Sequence, residues 1–381
     1  MEMPRFFATT NRGLEDVAAS EVRSLLKCRP QQDVAKIFFD AELEAIYRLN
    51  LQARTLHRVL ILLCRGRFRD LDDIYRMAKE VDYSGLVSPE QSFAVRAERH
   101  GVHPFTSMDV AAKVGQAIID SYRSERRVRL KVNLKMPDVE FLCLVRDDEF
   151  LLGLNTTGES LHKRHYRVYD HPAALKTTIA AAMLRLCGWK PRSSLLDPMC
   201  GGGTIPIEAA LIARGVPPGV YRTDDFALLK LKFLDCEVFW ELRRRLLEHV
   251  KHDERFPIHG IEKYGEFLWG AIRNAWSAGV RDTVSLKLGD ATQLNRHIDF
   301  SPDFVVANPP YGIRMRRRSL LNFYRRWLRS LRDVADGCTL LVITAASRRF
   351  AEALNSLDVE VCWRRVVYHG NVRATLFLCR L

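Results

Sequence analysis

The sequence predicts an α/β protein: a Rossmann-like, seven-stranded, mostly parallel sheet in the carboxyl-terminal half, preceded by an α+β region. Three observations carry that prediction. A strand, a glycine turn and a helix follow one another over 194–213. Acidic residues then close two further strand-like runs, at Glu262 and Asp290. Before residue 157, short apolar segments alternate with helical ones.

From the amino terminus, residues 6–10 read as a strand, 13–26 as an amphipathic helix, 35–39 as a strand, 42–51 as a helix and 58–64 as a third strand. That alternation predicts a ferredoxin-like α+β unit over 1–67. A second unit, over 68–156, holds a helix at 73–81, a strand at 92–97, a helix at 107–123, a strand at 129–134 and a hairpin over 140–154. Residues 157–172, rich in Gly, His, Lys and Arg, read as a linker. A catalytic domain follows over 173–381, opened by the His171-Pro172-Ala173 turn, with Pro near a helix start.

Within that domain Leu195-Leu196-Asp197 ends the first strand, and Pro198-Met199-Cys200-Gly201-Gly202-Gly203-Thr204 is a tight turn into a helix. Glycines there let the backbone approach a bound cofactor, and the helix amino terminus favours an anionic group. A dinucleotide is not the expected cofactor. Position 206 is Pro where the fingerprint needs its third glycine, and Glu262 lies far beyond the roughly 20 residues at which the ribose acid is expected. The long stretch 214–256, with a charged helix at 239–250, has no role that its sequence discloses.

Strand two is 258–262, ending in Glu262. Gly289-Asp290-Ala291 closes strand three, and Val305-Val306-Ala307 is strand four. Asn308-Pro309-Pro310-Tyr311 follows at its carboxyl end, where open α/β sheets bind ligands. This run suits a specific chemistry. The exocyclic amine of a nucleic-acid base is a poor nucleophile because its lone pair is delocalised, so its hydrogens must be held by acceptors as an electrophile arrives. The Asn308 carbonyl can supply one acceptor and the Pro309 backbone carbonyl another; two prolines stiffen the turn, and Tyr311 offers a stacking face. A basic loop at 313–318, a helix at 320–333 and strands at 339–343, 359–367 and 374–380 complete the sheet.

Those motifs in that order resemble the S-adenosylmethionine-dependent class I methyltransferases that modify exocyclic amines. The resemblance places Pro172 and Ala173 over the methionine end of S-adenosyl-L-methionine, with Asp197, Gly201, Gly202, Gly203 and Thr204 along it. Glu262 would meet the ribose hydroxyls, Asp290 and Ala291 the adenine, and Asn308 to Tyr311 the target base. The amino-terminal half resembles the THUMP RNA-binding module with its preceding ferredoxin-like domain, through Phe93-Ala94-Val95-Arg96-Ala97, His103-Pro104-Phe105-Thr106-Ser107 and residues 155–164. The Ile261-Glu262-Lys263-Tyr264, 289–294 and Val367-Tyr368-His369-Gly370 runs are similar to archaeal tRNA guanine-N2 methyltransferases acting at nucleotide six of the acceptor stem. The long insertion resembles instead the related ribosomal-RNA guanine-N2 enzymes. The family therefore implies N2 methylation of a guanine in tRNA, with 23S ribosomal RNA as the alternative substrate and a non-catalytic RNA-binding protein as another. Arg96, Arg99, Lys163 and Arg164 are its candidate phosphate contacts, joined by Arg314, Arg316, Arg317 and Arg318 beside the base pocket.

Composition agrees with an anionic partner: 59 basic residues against 46 acidic give a net charge of +13. Nine cysteines without a C-x-x-C pair suggest neither a disulfide framework nor a cysteine zinc site. The apolar runs at 59–64 and 338–346 are too short to span a membrane. A monomeric, cytoplasmic enzyme without a metal is expected.

Overall fold

The computed structural model describes residues 4–311, except Thr223 and Asp253, and residues 317–381. In the amino-terminal half β1 (Arg5–Thr10), β2 (Gln31–Asp33), β3 (Lys36–Asp40), β4 (Leu56–Arg67), β5 (Ser92–His100), β6 (Lys131–Val132), β7 (Val139–Arg146) and β8 (Glu149–Asn155) form a single sheet in the order β2-β3-β1-β4-β8-β7-β5-β6. The two expected units are thus spliced into one. The splice is β4, which at 12 residues is long enough to pair with β1 over Leu56–Ile61 and with β8 over Leu60–Arg67. Helices α1 (Glu15–Leu26), α2 (Ala45–Gln52), α3 (Leu71–Lys79) and α4 (Ser107–Arg126) cover it. α4 begins at a reciprocal cap in which Thr106 Oγ1 accepts the Asp109 N–H and the Asp109 carboxylate accepts the Thr106 N–H.

The carboxyl-terminal sheet contains β9 (Leu195–Asp197), β10 (Ile258–Glu262), β11 (Val284–Leu288), β12 (Phe304–Ala307), β13 (Thr339–Thr344), β14 (Glu360–His369) and β15 (Val372–Arg380). Their order is β11-β10-β9-β12-β13-β15-β14, parallel as far as β13, with β15 inserted antiparallel. From β9 the chain winds one way to β10 and β11, then returns to β12 on the other side. That switch opens a crevice at the carboxyl ends of β9 and β12. Around the sheet lie α5 (Thr177–Leu186), α6 (Thr204–Ala213), α8 (Gly265–Ser277), α9 (Arg317–Arg332) and α10 (Ser347–Asn355), whereas α7 (Cys236–Glu248) packs against α2.

Where the halves meet, one sequence expectation is corrected and one stretch without an assigned role acquires one. Residues 157–172 are not a loose linker: Thr157, Ser160, Leu161, Arg164 and Tyr166 are buried. Asn274 of α8 straps the segment down, accepting the N–H groups of Val168 and Tyr169 and donating to the carbonyls of Tyr169 and Gly202. The stretch 214–256 is a clamp. Its Phe226, Leu228, Leu231, Leu234 and Phe239 join the hydrophobic core of the amino-terminal half. Gly219 sits so close to α2 that a Cβ would lie 2.5 Å from the Asn50 carbonyl oxygen, so only glycine fits that turn. The amphipathic pattern revealed a helix here, but its apolar face packs against residues distant in sequence.

Candidate active site

A cavity of about 370 Å³ opens at the switch crevice, within the range of small-molecule sites. It brings together Ala173, Asp197, Gly201, Gly202, Thr204, Glu262, Asp290, Ala291 and the whole Asn308–Tyr311 run. Two expected residues do not line it. Pro172 is absent from the lining, while its neighbours His171 and Ala173 face the cavity. Gly203 instead caps α6 at a φ of 81°, and a Cβ there would lie 3.1 Å from Ala271 on α8. That glycine serves packing.

Each acid is held differently. The Glu262 carboxylate accepts the Gly201 N–H at 2.9 Å on one oxygen and the Tyr264 N–H at 2.9 Å on the other. One strand-end acid thereby fixes the glycine turn and the start of α8, and its remaining lone pairs can accept a diol. Asp290 accepts the N–H and hydroxyl of Thr292 on one oxygen and the Lys263 ammonium, 2.8 Å away, on the other. Against the cost of its burial, these donors hold it down at about 2. Asp197 has few such donors. Burial, opposed by the Met199 N–H and reinforced by nearby Glu262, pushes its carboxyl up to about 8.

At the reactive end Asn308 is half-buried, with Nδ2 3.4 Å from the Ala173 carbonyl and Oδ1 accepting the Tyr311 hydroxyl at 2.7 Å. The donor hydroxyl orients the amide so that its oxygen faces Tyr311, and a carbonyl with two lone pairs retains one for a substrate amine. Tyr311 therefore has an orienting role that its place in the run did not disclose. Sequence reasoning also missed Tyr324. This buried residue of α9 donates to the Pro310 carbonyl at 2.9 Å and lies 3.1 Å from Thr344 Oγ1, and burial pushes its hydroxyl up to about 12. Nothing in the sequence marks Tyr324, because its partner is a backbone atom brought near by the sheet. His171, Lys263, Tyr264, Phe267 and Phe323 also line the cavity. His171, Lys263 and Tyr264 stand next to motif residues, the one signal available for them; Phe323 carries none.

The proposed phosphate contacts divide. Arg164 is buried: its side chain is 1% exposed and ion-paired with Glu208, itself 0% exposed. It also donates to the carbonyls of Leu161 and Arg54. It is a structural residue, because a guanidinium taken out of water must spend its donors locally. Arg96 is exposed but engages Glu140 and the Leu134 carbonyl. Arg99 donates to the Gly101 carbonyl and lies against His103, and Lys163 pairs with Glu159 at the surface. Arg318 is exposed. Arg314, Arg316 and the side chain of Arg317 lie outside the described residues.

The cavity suits S-adenosylmethionine: an apolar slot for an adenosyl group, bounded by strand-end acids for its diol and amines, runs up to an amide acceptor. Fold and site together define a class I S-adenosylmethionine-dependent methyltransferase. Residues 164–375 match the family model described as the RMKL-like methyltransferase domain, 68–155 the THUMP domain and 5–60 the RlmL ferredoxin-like domain. The chain belongs to the RMKL-like family and is a THUMP-containing RNA methyltransferase. It is 43% identical to the tRNA (guanine(6)-N2)-methyltransferase of Archaeoglobus fulgidus, over 97% of this chain and 90% of that one. The enzyme of the same description from Methanocaldococcus jannaschii is 38% identical over 99% and 100%. Ribosomal RNA large subunit methyltransferase K/L of Aliivibrio fischeri is 31% identical over 90% of this chain but 49% of its own length. A solved structure from Clostridium difficile 630 has a TM-score of 0.88 at 25% identity, covering 99% of this chain and 97% of that one.

Proposed function

We propose that this enzyme methylates the N2 amine of guanosine 6 in the acceptor stem of tRNA. The observation that carries the reading is the meeting, in one cavity, of the glycine turn, Glu262, Asp290 and Asn308–Tyr311. The tRNA and its position come from the two archaeal relatives, which match along nearly their whole length. S-adenosylmethionine supplies an electrophilic methyl group when bound. Glu262 and Asp290 anchor and orient at one end of the slot. At the other, Asn308 Oδ1 and the Pro309 carbonyl accept the two amine hydrogens, leaving the nitrogen lone pair free to attack. The amine nitrogen gains the methyl, whose bond to the sulfonium sulfur breaks, and gives up one of its protons to solvent. Burial lets these fixed dipoles act at full strength without reorganising. The guanine must leave its stem to reach them, at a cost of a few kcal/mol, and Tyr311 stacking offsets part of that.

The reading includes a monomer working in the cytoplasm. Its nine cysteines are free thiols, and among the described residues no helix is long and apolar enough to cross a membrane. Ribosomal RNA is the second reading, favoured by the more distant K/L likeness. Nucleoside mass spectrometry after reaction with labelled cofactor separates the two. Intact tRNA should gain N2-methylguanosine at position 6, tRNA trimmed at its 3′ end should gain less, and a ribosomal fragment none. Preference for the ribosomal fragment would overturn the assignment.

A further inference from the structure

Three of this protein's surface helices, α3, α7 and α10, supply acids that pair with nearby arginines. On α7, Arg244 and Arg245 bind Glu241. Asp73 of α3 holds Arg69 and Arg76, and Glu352 of α10 holds Arg348 and Arg349. α9 departs from that pattern. Its 16 residues, RRSLLNFYRRWLRSLR, contain no acid at all, and arginine is the commonest residue. Arg325 and Arg329, then Arg329 and Arg332, stand at the spacings where like charges repel on a helix.

The helix cannot turn these charges elsewhere, because Leu320, Tyr324, Trp327, Leu328 and Leu331 fix its inner face in the core. Arg318, Asn322, Arg326 and Arg329 therefore form one exposed stripe. The stripe borders a second cavity, of about 420 Å³, that shares Lys263, Asp290 and Phe323 with the first. Its other lining groups are Ser319, Asn322 and Arg326, which can each donate, and Thr292, whose hydroxyl donates to Asp290 and accepts from Arg326. Asp290 is the one carboxylate there among the described residues, and its oxygens are already engaged by Lys263 and Thr292.

We propose that the outer face of α9 and this cavity seat the sugar-phosphate backbone of the RNA strand that carries the target base. Arg326 and Lys263 take a phosphodiester at the cavity, and Arg318 and Arg329 take phosphates along the stripe. This rests on RNA being the substrate and adds which surface carries the strand. From Arg318 to Arg329 the helix rises roughly 16 Å, at about 1.5 Å per residue, the length of about five nucleotides at about 3.4 Å each. The same helix holds the Pro310 carbonyl through Tyr324 on its inner face. One rigid element thus carries both the strand and the catalytic turn, which lets the flanking phosphates be held while the base is drawn out.

Equilibrium binding of the full chain to tRNA across a salt series tests this. The variants are the triple Arg318→Gln/Arg326→Gln/Arg329→Gln, the single Arg326→Gln, and Arg192→Gln as a control whose arginine pairs with Glu254 far along the chain. The triple should bind at least about tenfold more weakly and lose roughly 0.7 to 0.9 of the log–log salt slope per lost contact. Arg326→Gln alone should move both in the same direction by about a third, and Arg192→Gln should move neither. A triple or single variant that binds with wild-type affinity and slope, in a wild type that does bind tRNA, overturns this surface alone. A wild-type chain with no affinity for tRNA or ribosomal RNA overturns the RNA reading and this surface together.

Discussion

Buried carboxyl groups are used in opposite ways at the start of α6 and about one turn along it. Where the helix begins, the cavity holds Asp197 and Glu262 with lone pairs left open. About one turn on, Glu208 faces the seam between the halves, and every partner is spent: it takes Arg164 at 3.2 Å and the Tyr166 hydroxyl at 3.0 Å. Around it Arg54 donates to the Val216 carbonyl, and Glu21 accepts the N–H groups of Arg54 and Thr55. The seam shows charge satisfied within the fold, which holds domains together. The cavity shows carboxyl groups kept partly unsatisfied, which is a capacity to bind.

The sharpest test of that contrast is Arg164→Ala. Stranding Glu208 without its cation should cost about 3–5 kcal/mol of stability, read as a lower midpoint in urea unfolding. The double variant Arg164→Met/Glu208→Leu should recover most of it. A variant with unchanged stability and weakened RNA binding would return Arg164 to the phosphate contacts.

Asn308→Ala should do the reverse. Methyl transfer in single-turnover assays should fall on the order of 10²- to 10³-fold, while the unfolding midpoint stays within about 0.5 kcal/mol of wild type. Tyr324→Phe, which releases the Pro310 carbonyl without touching a substrate, should lower kcat by about tenfold or less, with KM for RNA unchanged. Equal loss in KM would make Tyr324 a binding residue instead.

A last test of the contrast concerns pH. Asp197 has its carboxyl raised to about 8, so the folded chain holds a proton that the unfolded chain gives up near 4. Its contribution to stability is therefore full below about pH 4 and is lost as pH rises through 8, by at most about 1.4 kcal/mol per unit. Thermal melting of the cofactor-free chain between pH 6 and 9 should slope downward in wild type and less so in Asp197→Asn. Parallel slopes would show that the cavity acid is better solvated than its burial indicates.

The catalytic sheet was readable because its signals are local. β10 ends at Glu262 as the strand-like 258–262 run suggested, and Asn308 follows β12 as the short Val305-Val306-Ala307 run required. Strand-end acids, a glycine turn and a proline-stiffened tetrapeptide each need only their own neighbours to be recognised. Arg164 misled for the opposite reason: in a stretch dense with Gly, His and Lys it has the composition of a surface residue, and only Glu208 explains its burial.

By itself, then, the sequence determined the strands of the catalytic sheet, their order along the chain and the identity of the groups at the strand ends, because backbone periodicity and turn chemistry act over a few residues. The tertiary structure alone decided that β4 splices two units into one sheet and that residues 214–256 clamp the halves. It also decided that Tyr324 holds the Pro310 carbonyl, and that α9 buries one face and leaves its arginines on the other. Those outcomes depend on contacts between segments far apart in the chain, where desolvation and close packing choose partners that no local pattern encodes.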